Sequence, residues 1–146
     1  MHTLSDVDVA AIHALIERRS QAIRTRNVNA ALACLAPQSQ LFDVVNPLKY
    51  SGVEATRTRL SQWIASFEGP IGFEIAELDV AAGQDVAFSH GLNHVSATKT
   101  DGQKLDMWWR ATVCYRKLDG KWMITHEHSS VPFDMTTGKA SLDLKP

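Results

Sequence analysis

Between Lys104 and Phe133 the chain reads KLDMWWRATVCYRKLDGKWMITHEHSSVPF, and this stretch limits the fold more than any other. Val, Ile, Thr, Tyr and Trp crowd both sides of Leu118-Asp119-Gly120, a composition suited to a pleated, half-buried surface. Asp-Gly reverses the chain because Gly takes a positive φ at no steric cost. The segment is therefore predicted to be a long antiparallel hairpin. It carries three of the four Trp residues, a His-x-His and an Arg set among apolar neighbours. Candidates for chemistry thus lie on a ribbon whose one face a fold must cover.

Register decides which of them share that face. A three-residue loop, Leu118-Asp119-Gly120, would pair Lys117 with Lys121 and set Thr112 opposite His126 and Arg110 opposite His128. Trp108, Arg110, Thr112, Trp122, Ile124, His126 and His128 would then look the same way. A two-residue turn would instead set Arg110 and Thr112 against Ser129 and Glu127. The first register is preferred because it gathers the aromatic and basic groups. Indoles, a guanidinium and two imidazoles make an apolar wall with a few convergent polar groups, the composition of a small-molecule site. Imidazole can donate, accept or shuttle a proton near neutral pH. The competing reading is that His126 and His128 hydrogen-bond within the sheet or across a subunit interface.

The rest of the chain divides in two. Ser5-Asp6-Val7-Asp8 resembles a capping box, and Val9, Ile12, Leu15, Ile16, Ala22 and Ile23 then recur at helical spacing to about Arg26. Arg19 falls inside that stripe, where a guanidinium needs an anion, a pocket or a path to solvent. Asn27 can cap a second helix over 28–36, stopped by Pro37. Residues 40–45 read as a strand with Leu41, Asp43 and Val45 on one face. Asp43 among large apolar groups is a candidate for a desolvated carboxyl of raised pKa, or else a cap of the turn at Asn46-Pro47. A third helix is expected over 53–67, with Leu60, Trp63, Ile64 and Phe67 as its buried stripe. Trp63 there could also wall a cavity. Everything after Pro70 is strand-like: 71–82, 86–100 and the two arms of the hairpin. Helices first, then a four-stranded antiparallel meander with one early strand inserted, is an α+β arrangement in a single domain over 1–146. The tail from Asp134 is polar enough to lie along the surface.

Several function classes are disfavoured. A net charge of −1 with no block of like charge gives no basic face for nucleic acid or a membrane surface. No apolar run approaches a bilayer span. MHTLSDVDVAAI lacks the basic region and apolar run of a signal peptide, and Cys34 and Cys114 are isolated, as in a cytoplasmic protein with reduced thiols. There is no Gly-rich phosphate loop, no Gly-x-Ser-x-Gly elbow beside Ser129 and Ser130, and no sign of thiolate activation at Cys114. Gly120-x5-His126-x-His128 matches the opening of the cupin metal motif, with His90 and His94 on a neighbouring strand. No Glu follows at the spacing that motif needs, and a helical first half does not fit a jelly roll. Neither a metal nor a cofactor is therefore expected.

Three N-terminal helices, a strand bearing Asp43, and a meander ending in Asp-Gly-Lys-Trp-x-Ile-x-His-x-His-x-Ser resemble the nuclear transport factor 2-like superfamily over nearly the whole chain. Within it the SnoaL-like and ketosteroid-isomerase-like group looks nearest. The segment from Trp108 to Phe133 is also similar to the association domain of calcium/calmodulin-dependent protein kinase II. The resemblance implies a cone: a strongly curved sheet around a long helix, a cavity between them, and a homodimer formed through the sheet's outer face. Some members are isomerases, cyclases, dehydratases or hydroxylases; others only bind or assemble.

Residue by residue, the resemblance sets Asp43, nine positions before Gly52, where ketosteroid isomerases hold their general base. Arg19 aligns with the Tyr of their oxyanion hole, and the partner Asp of that hole falls near Thr112. Two of three groups differ, so steroid isomerisation itself is not implied. Arg19 with Arg110 would suit an anion such as a carboxylate or enolate. The expectation is a small-molecule-binding protein with cofactor-free isomerase, cyclase or lyase chemistry. Asp43 or His126 would move a proton, Arg110 would steady negative charge, and Arg19, Trp63, Trp108, Thr112 and His128 would hold the ligand. The alternative is a non-catalytic ligand-binding or dimerisation module.

Overall fold

The computed structural model describes residues 4–146, and their side chains from Asp6 onward; the hydroxyl cap expected of Ser5 lies outside the described residues. Helix α1 spans Leu4–Arg24, α2 Val28–Leu32 and α3 Val53–Ala65. Strands are β1 Leu35–Phe42, β2 Tyr50–Ser51, β3 Phe67–Ala82, β4 Val86–Lys99, β5 Lys104–Leu118 and β6 Lys121–Ser130. They form one six-stranded sheet in the order β2-β1-β6-β5-β4-β3. β3 to β6 are an antiparallel meander, whereas β1 lies parallel to β6. The α+β class expected from the sequence is what the chain adopts.

The long helix is held by the stripe that predicts it. Ile12 is fully buried, Leu15 1% exposed, and Ala22 and Ile23 are buried about two turns on. Asp8 lies on the same stripe, where its Oδ1 accepts from Trp122 Nε1 at 3.0 Å and Lys117 Nζ at 3.1 Å. Those two hydrogen bonds, Trp122's first, hold the Asp8 carboxyl below its usual range and tie α1 to the last hairpin. At the other end Asn27 Oδ1 accepts from the Ala30 amide at 3.0 Å, the cap that its position suggests.

β3 has 16 residues and β4 14. A straight strand of that length would reach about 50 Å. Both bend instead: their register shifts between Glu68 and Gly72 and between Ala76 and Asp79, where Glu77 takes φ 53°. Such bulges add twist and curl the sheet into a concave wall. Two apolar clusters fill the concavity. One is built on Ile12, Leu15, Tyr115, Trp122 and Ile124; the other on Ile23, Ile64, Phe67, Phe73 and Val95.

Three expectations need correction. The second helix ends at Leu32, and Pro37 lies inside β1. Proline is tolerated there because the β1–β6 pairing is irregular between Leu35 and Gln40, so no ladder bond needs its missing N–H. Asp43 follows the end of β1 and is not a mid-strand residue. The tail runs along the surface, as its polarity suggests: Asp134 Oδ1 takes the amides of Thr136 and Thr137, the chain turns back, and the exposed Ala140 and Leu142 border the cavity.

The hairpin register is the correction with most consequence. Leu118 pairs with Lys121 across a two-residue turn in which Asp119 and Gly120 both have positive φ, 50° and 79°. This mirror-image turn matches the natural twist of the strands. The pairing then slips by one. Tyr115 faces Ile124 but Cys114 faces His126, leaving Thr125 as an extra residue whose Oγ1 reaches the Cys114 carbonyl at 3.3 Å. Thr112 is consequently opposite His128, and Arg110 opposite Ser130. Because strand faces alternate, that single extra residue splits the expected constellation. Trp122 and Ile124 enter the core; His126 and His128 lie on the convex side with Thr112 and Arg110.

Candidate functional site

The concave face of the sheet, α1 and α3 enclose a cavity of about 720 Å³. α1 contributes Leu15, Ile16, Arg19, Ser20 and Ile23, and α3 contributes Thr56, Arg59, Leu60 and Trp63. Each set repeats at three or four residues, the spacing of one helix face. From β5 come alternate residues, Leu105, Met107, Trp109, Val113 and Tyr115. Trp63 meets Phe67 edge-on at 5.2 Å and Trp109 at 6.3 Å, and Trp109 lies 6.1 Å from Phe73. These rings form an aromatic wall.

Of the three cationic side chains lining the cavity, Arg19 and Arg59 are ion-paired, and Lys99 has no ion pair among the described residues. Arg19 Nη1 donates to Glu127 Oε2 at 2.7 Å and Nη2 to Oε1 at 3.2 Å, with the side chains 20% and 15% exposed. Burial works against the Arg19 charge, but Glu127 more than restores it, so its pKa is raised. At another point of the wall Asp43 Oδ2 accepts from Arg59 Nε at 3.0 Å, and its Oδ1 accepts the Val44 amide at 2.6 Å. Deeper in, Tyr115, 1% exposed, shares a 2.8 Å hydrogen bond with Ser89. Burial pushes this phenol up to about 12, so it stays protonated at neutral pH and can donate.

The residues singled out from sequence divide between the two faces. Arg19, Asp43 and Trp63 line the cavity; Trp108, Arg110, Thr112, His126 and His128 do not. Arg110 Nε reaches Ser130 Oγ at 3.1 Å on the exposed side, and Thr112 is exposed beside it. His126 Nδ1 donates to the Gln40 carbonyl at 2.6 Å and packs edge-on against Phe42 at 4.6 Å. His128 lies 5.4 Å from the same ring. Trp108 stacks on His94 at 4.2 Å, and His94 is itself gripped by Glu74 and Asp106 at 2.8 Å each. The cavity thus has no Arg19–Arg110 pair to bind an anion. Nor does Asp43 have the dry setting expected of it: its side chain is 26% exposed and ion-paired.

Glu127, Arg59, Tyr115, Ser89 and Asn93 also line the cavity, though sequence reasoning assigns none of them to the site. The alternation of Trp109, Val113 and Tyr115 in β5 is the available signal for one of them, Tyr115. For Glu127 the signal was its place between the two His residues, on the opposite face from both. Among the described residues no cluster of three His, Cys, Asp or Glu side chains could hold a metal. No helix among them is long and apolar enough to cross a membrane.

The SnoaL-like domain family matches residues 12–134. An NTF2-like protein of unknown function from Pseudomonas putida KT2440 is 38% identical, with 99% of this chain and 100% of that one covered and a TM-score of 0.88. A candidate calcium/calmodulin-dependent protein kinase II association domain from Xanthomonas campestris is 26% identical over 82% of this chain and 84% of its own, with a TM-score of 0.71. A candidate dehydratase of the NTF2-like family from Streptomyces avermitilis, 15% identical over 88% and 99% at a TM-score of 0.77, shares the fold alone. No curated protein matches the chain.

Proposed function

The chain belongs to the SnoaL-like domain family, and from that premise we propose that it binds a small, neutral, largely apolar organic molecule inside the cone and moves a proton on it with Asp43. The observation that carries the reading is the pairing of both guanidinium groups in the cavity wall, Arg19 with Glu127 and Arg59 with Asp43, around a mostly apolar space. A site that neutralises both of its guanidinium groups, leaving only Lys99 among the described lining cations without an ion pair, has less to offer an anion, and aromatic walls favour a ring system. Asp43 is the acid–base candidate because it lines the cavity and keeps some contact with solvent. Proton removal next to a carbonyl would be cofactor-free isomerase, cyclase or lyase chemistry.

A non-catalytic binding module is the second reading, favoured by the fact that both Asp43 oxygens already accept hydrogen bonds. Deuterium uptake at the α-carbon of a neutral bicyclic ketone, 2-tetralone, in heavy water separates the two. The enzyme reading expects uptake faster than in buffer, and a fall on the order of 10²-fold or more in Asp43→Asn. Binding without faster uptake would leave only the module. A homodimer and a cytoplasmic setting belong to the same proposal. The exposed Phe42, Val86 and Phe88 of the convex face support the first, and the free thiols Cys34 and Cys114 the second. Sedimentation of a charge-bearing Phe88→Glu variant as a monomer, against a wild-type dimer, is the check on the interface.

A further inference from the structure

Two buried side-chain polar atoms have no hydrogen-bond partner among the described residues, Ser39 Oγ and Asn93 Oδ1. Only Asn93 lines the cavity. It is 7% exposed and lies on the inward face of β4, paired with Ile75 of β3 on one side and Trp109 of β5 on the other. Most of the polar groups around it are satisfied. Arg19 holds Glu127, Arg59 holds Asp43, Ser89 holds Tyr115, and Thr56 Oγ1 bonds the Gly52 carbonyl at 3.3 Å. Natural interiors seldom leave an amide oxygen unpaired, because burying it without a partner is costly. An orphan atom in a ligand-sized cavity is best explained by a partner that comes with the ligand.

We infer that Asn93 is the hydrogen-bonding anchor of the cavity, and that its ligand brings a neutral hydroxyl or N–H carried on an aromatic ring. The inference rests on the reading that the cavity binds a neutral organic molecule, and it narrows that reading to a ligand class. A flat ring laid on the wall of Trp63, Phe73 and Trp109 lies next to Asn93, which is directly across from Trp109. A hydroxyl suits the site in either orientation of the amide. It donates to Oδ1, or accepts from Nδ2 if the two amide ends are exchanged. A site built around a buried hydrogen-bonding group rejects analogues that lack the matching group.

The test compares 2-naphthol with naphthalene by equilibrium dialysis against the wild type, Asn93→Leu and Asn93→Ala. Leu keeps the branching at Cγ and the number of side-chain heavy atoms of Asn, and removes its polarity. The ratio of naphthol to naphthalene affinity is expected to fall about tenfold in both variants, with naphthalene bound as well as before. Without ligand, Asn93→Leu should melt at or above the wild-type temperature, since an unpaired buried group is gone. A naphthol preference that persists in both variants, or a wild type with none, overturns the anchor and leaves the binding reading standing. Failure of the wild type to take up either compound overturns the binding reading itself.

Discussion

Arg19 and Glu127, 108 positions apart in sequence, close on each other through two parallel hydrogen bonds across the interior of the cone. The pair links the long helix to the last strand and decides the charge of the cavity. Removing one member leaves the other without its counter-ion in a mostly buried place, which costs far more than the pair contributes. Glu127→Gln is therefore expected to lose about 3 kcal/mol of stability, and the double change Arg19→Met with Glu127→Leu less than that, both read from urea unfolding. The freed guanidinium should also let Glu127→Gln bind 2-naphthoate more tightly than the wild type does. A double variant whose loss equals the sum of the losses of the two single changes would mean that the pair is not coupled.

The sequence carried the two periodicities and the punctuation well. Ile12, Leu15 and Ile23 mark the buried side of α1, Asn27 its successor's cap, and Asp119-Gly120 the final turn. What it did not carry was the extra residue at Thr125. A bulge uses the same β-branched residues as a regular strand, so no composition announces it, yet it turns every residue beyond it to the opposite face. For that reason His126 and His128, read as pointing inward, lie outside, and the unremarked Glu127 between them lies inside. Ion pairs such as Arg59 with Asp43 were illegible for another reason: they depend on how elements pack, and local sequence does not encode it.

On the proposed reading, Asp43 and Arg59 are expected to bear on function more than on stability. Both side chains are about a quarter exposed, 26% and 24%, so water screens the pair. Arg59→Met is expected to cost no more than about 1 kcal/mol. In the deuterium-uptake assay it should lower the rate, because the carboxylate loses the guanidinium that holds it at the cavity wall. An unaltered rate would show that Arg59 does not position Asp43 for proton transfer.

His94 on the convex face is a stability group with a definite pH window. Burial alone would lower its pKa, but hydrogen bonds to Glu74 and then Asp106 outweigh burial and raise it above 6.5. A group with a raised folded-state pKa stabilises fully below its unfolded value and loses that contribution as pH rises through the folded one. The stability gap between wild type and His94→Asn should therefore be widest near pH 6, about 1 kcal/mol since both carboxylates are exposed, and close on the alkaline side. The direct check is the NMR titration of the His94 ring, whose midpoint should lie above the 6.5 of a free imidazole.

Gly91 tests how the cavity is shaped. It pairs with Ala111 in the middle of the sheet, beside the β3 bulge that Glu77 makes. A Cβ built there would lie 2.7 Å from Ile75 Cγ2, 3.3 Å from the Ala76 carbonyl oxygen and 3.5 Å from Leu78 Cα. Two of those neighbours are backbone and cannot rotate away. Since the bulge curls β3 over the cavity, Gly91→Ala has to push it outward or unbend it. The expected cost is about 1–3 kcal/mol, the range for overpacking a well-filled interior. Ile75 lines the cavity next to Asn93, so the same change should also weaken naphthalene uptake. Adding Ile75→Val, which removes part of the clash, should recover some of both. A Gly91→Ala protein as stable as the wild type would show that β3 does not bend over this position.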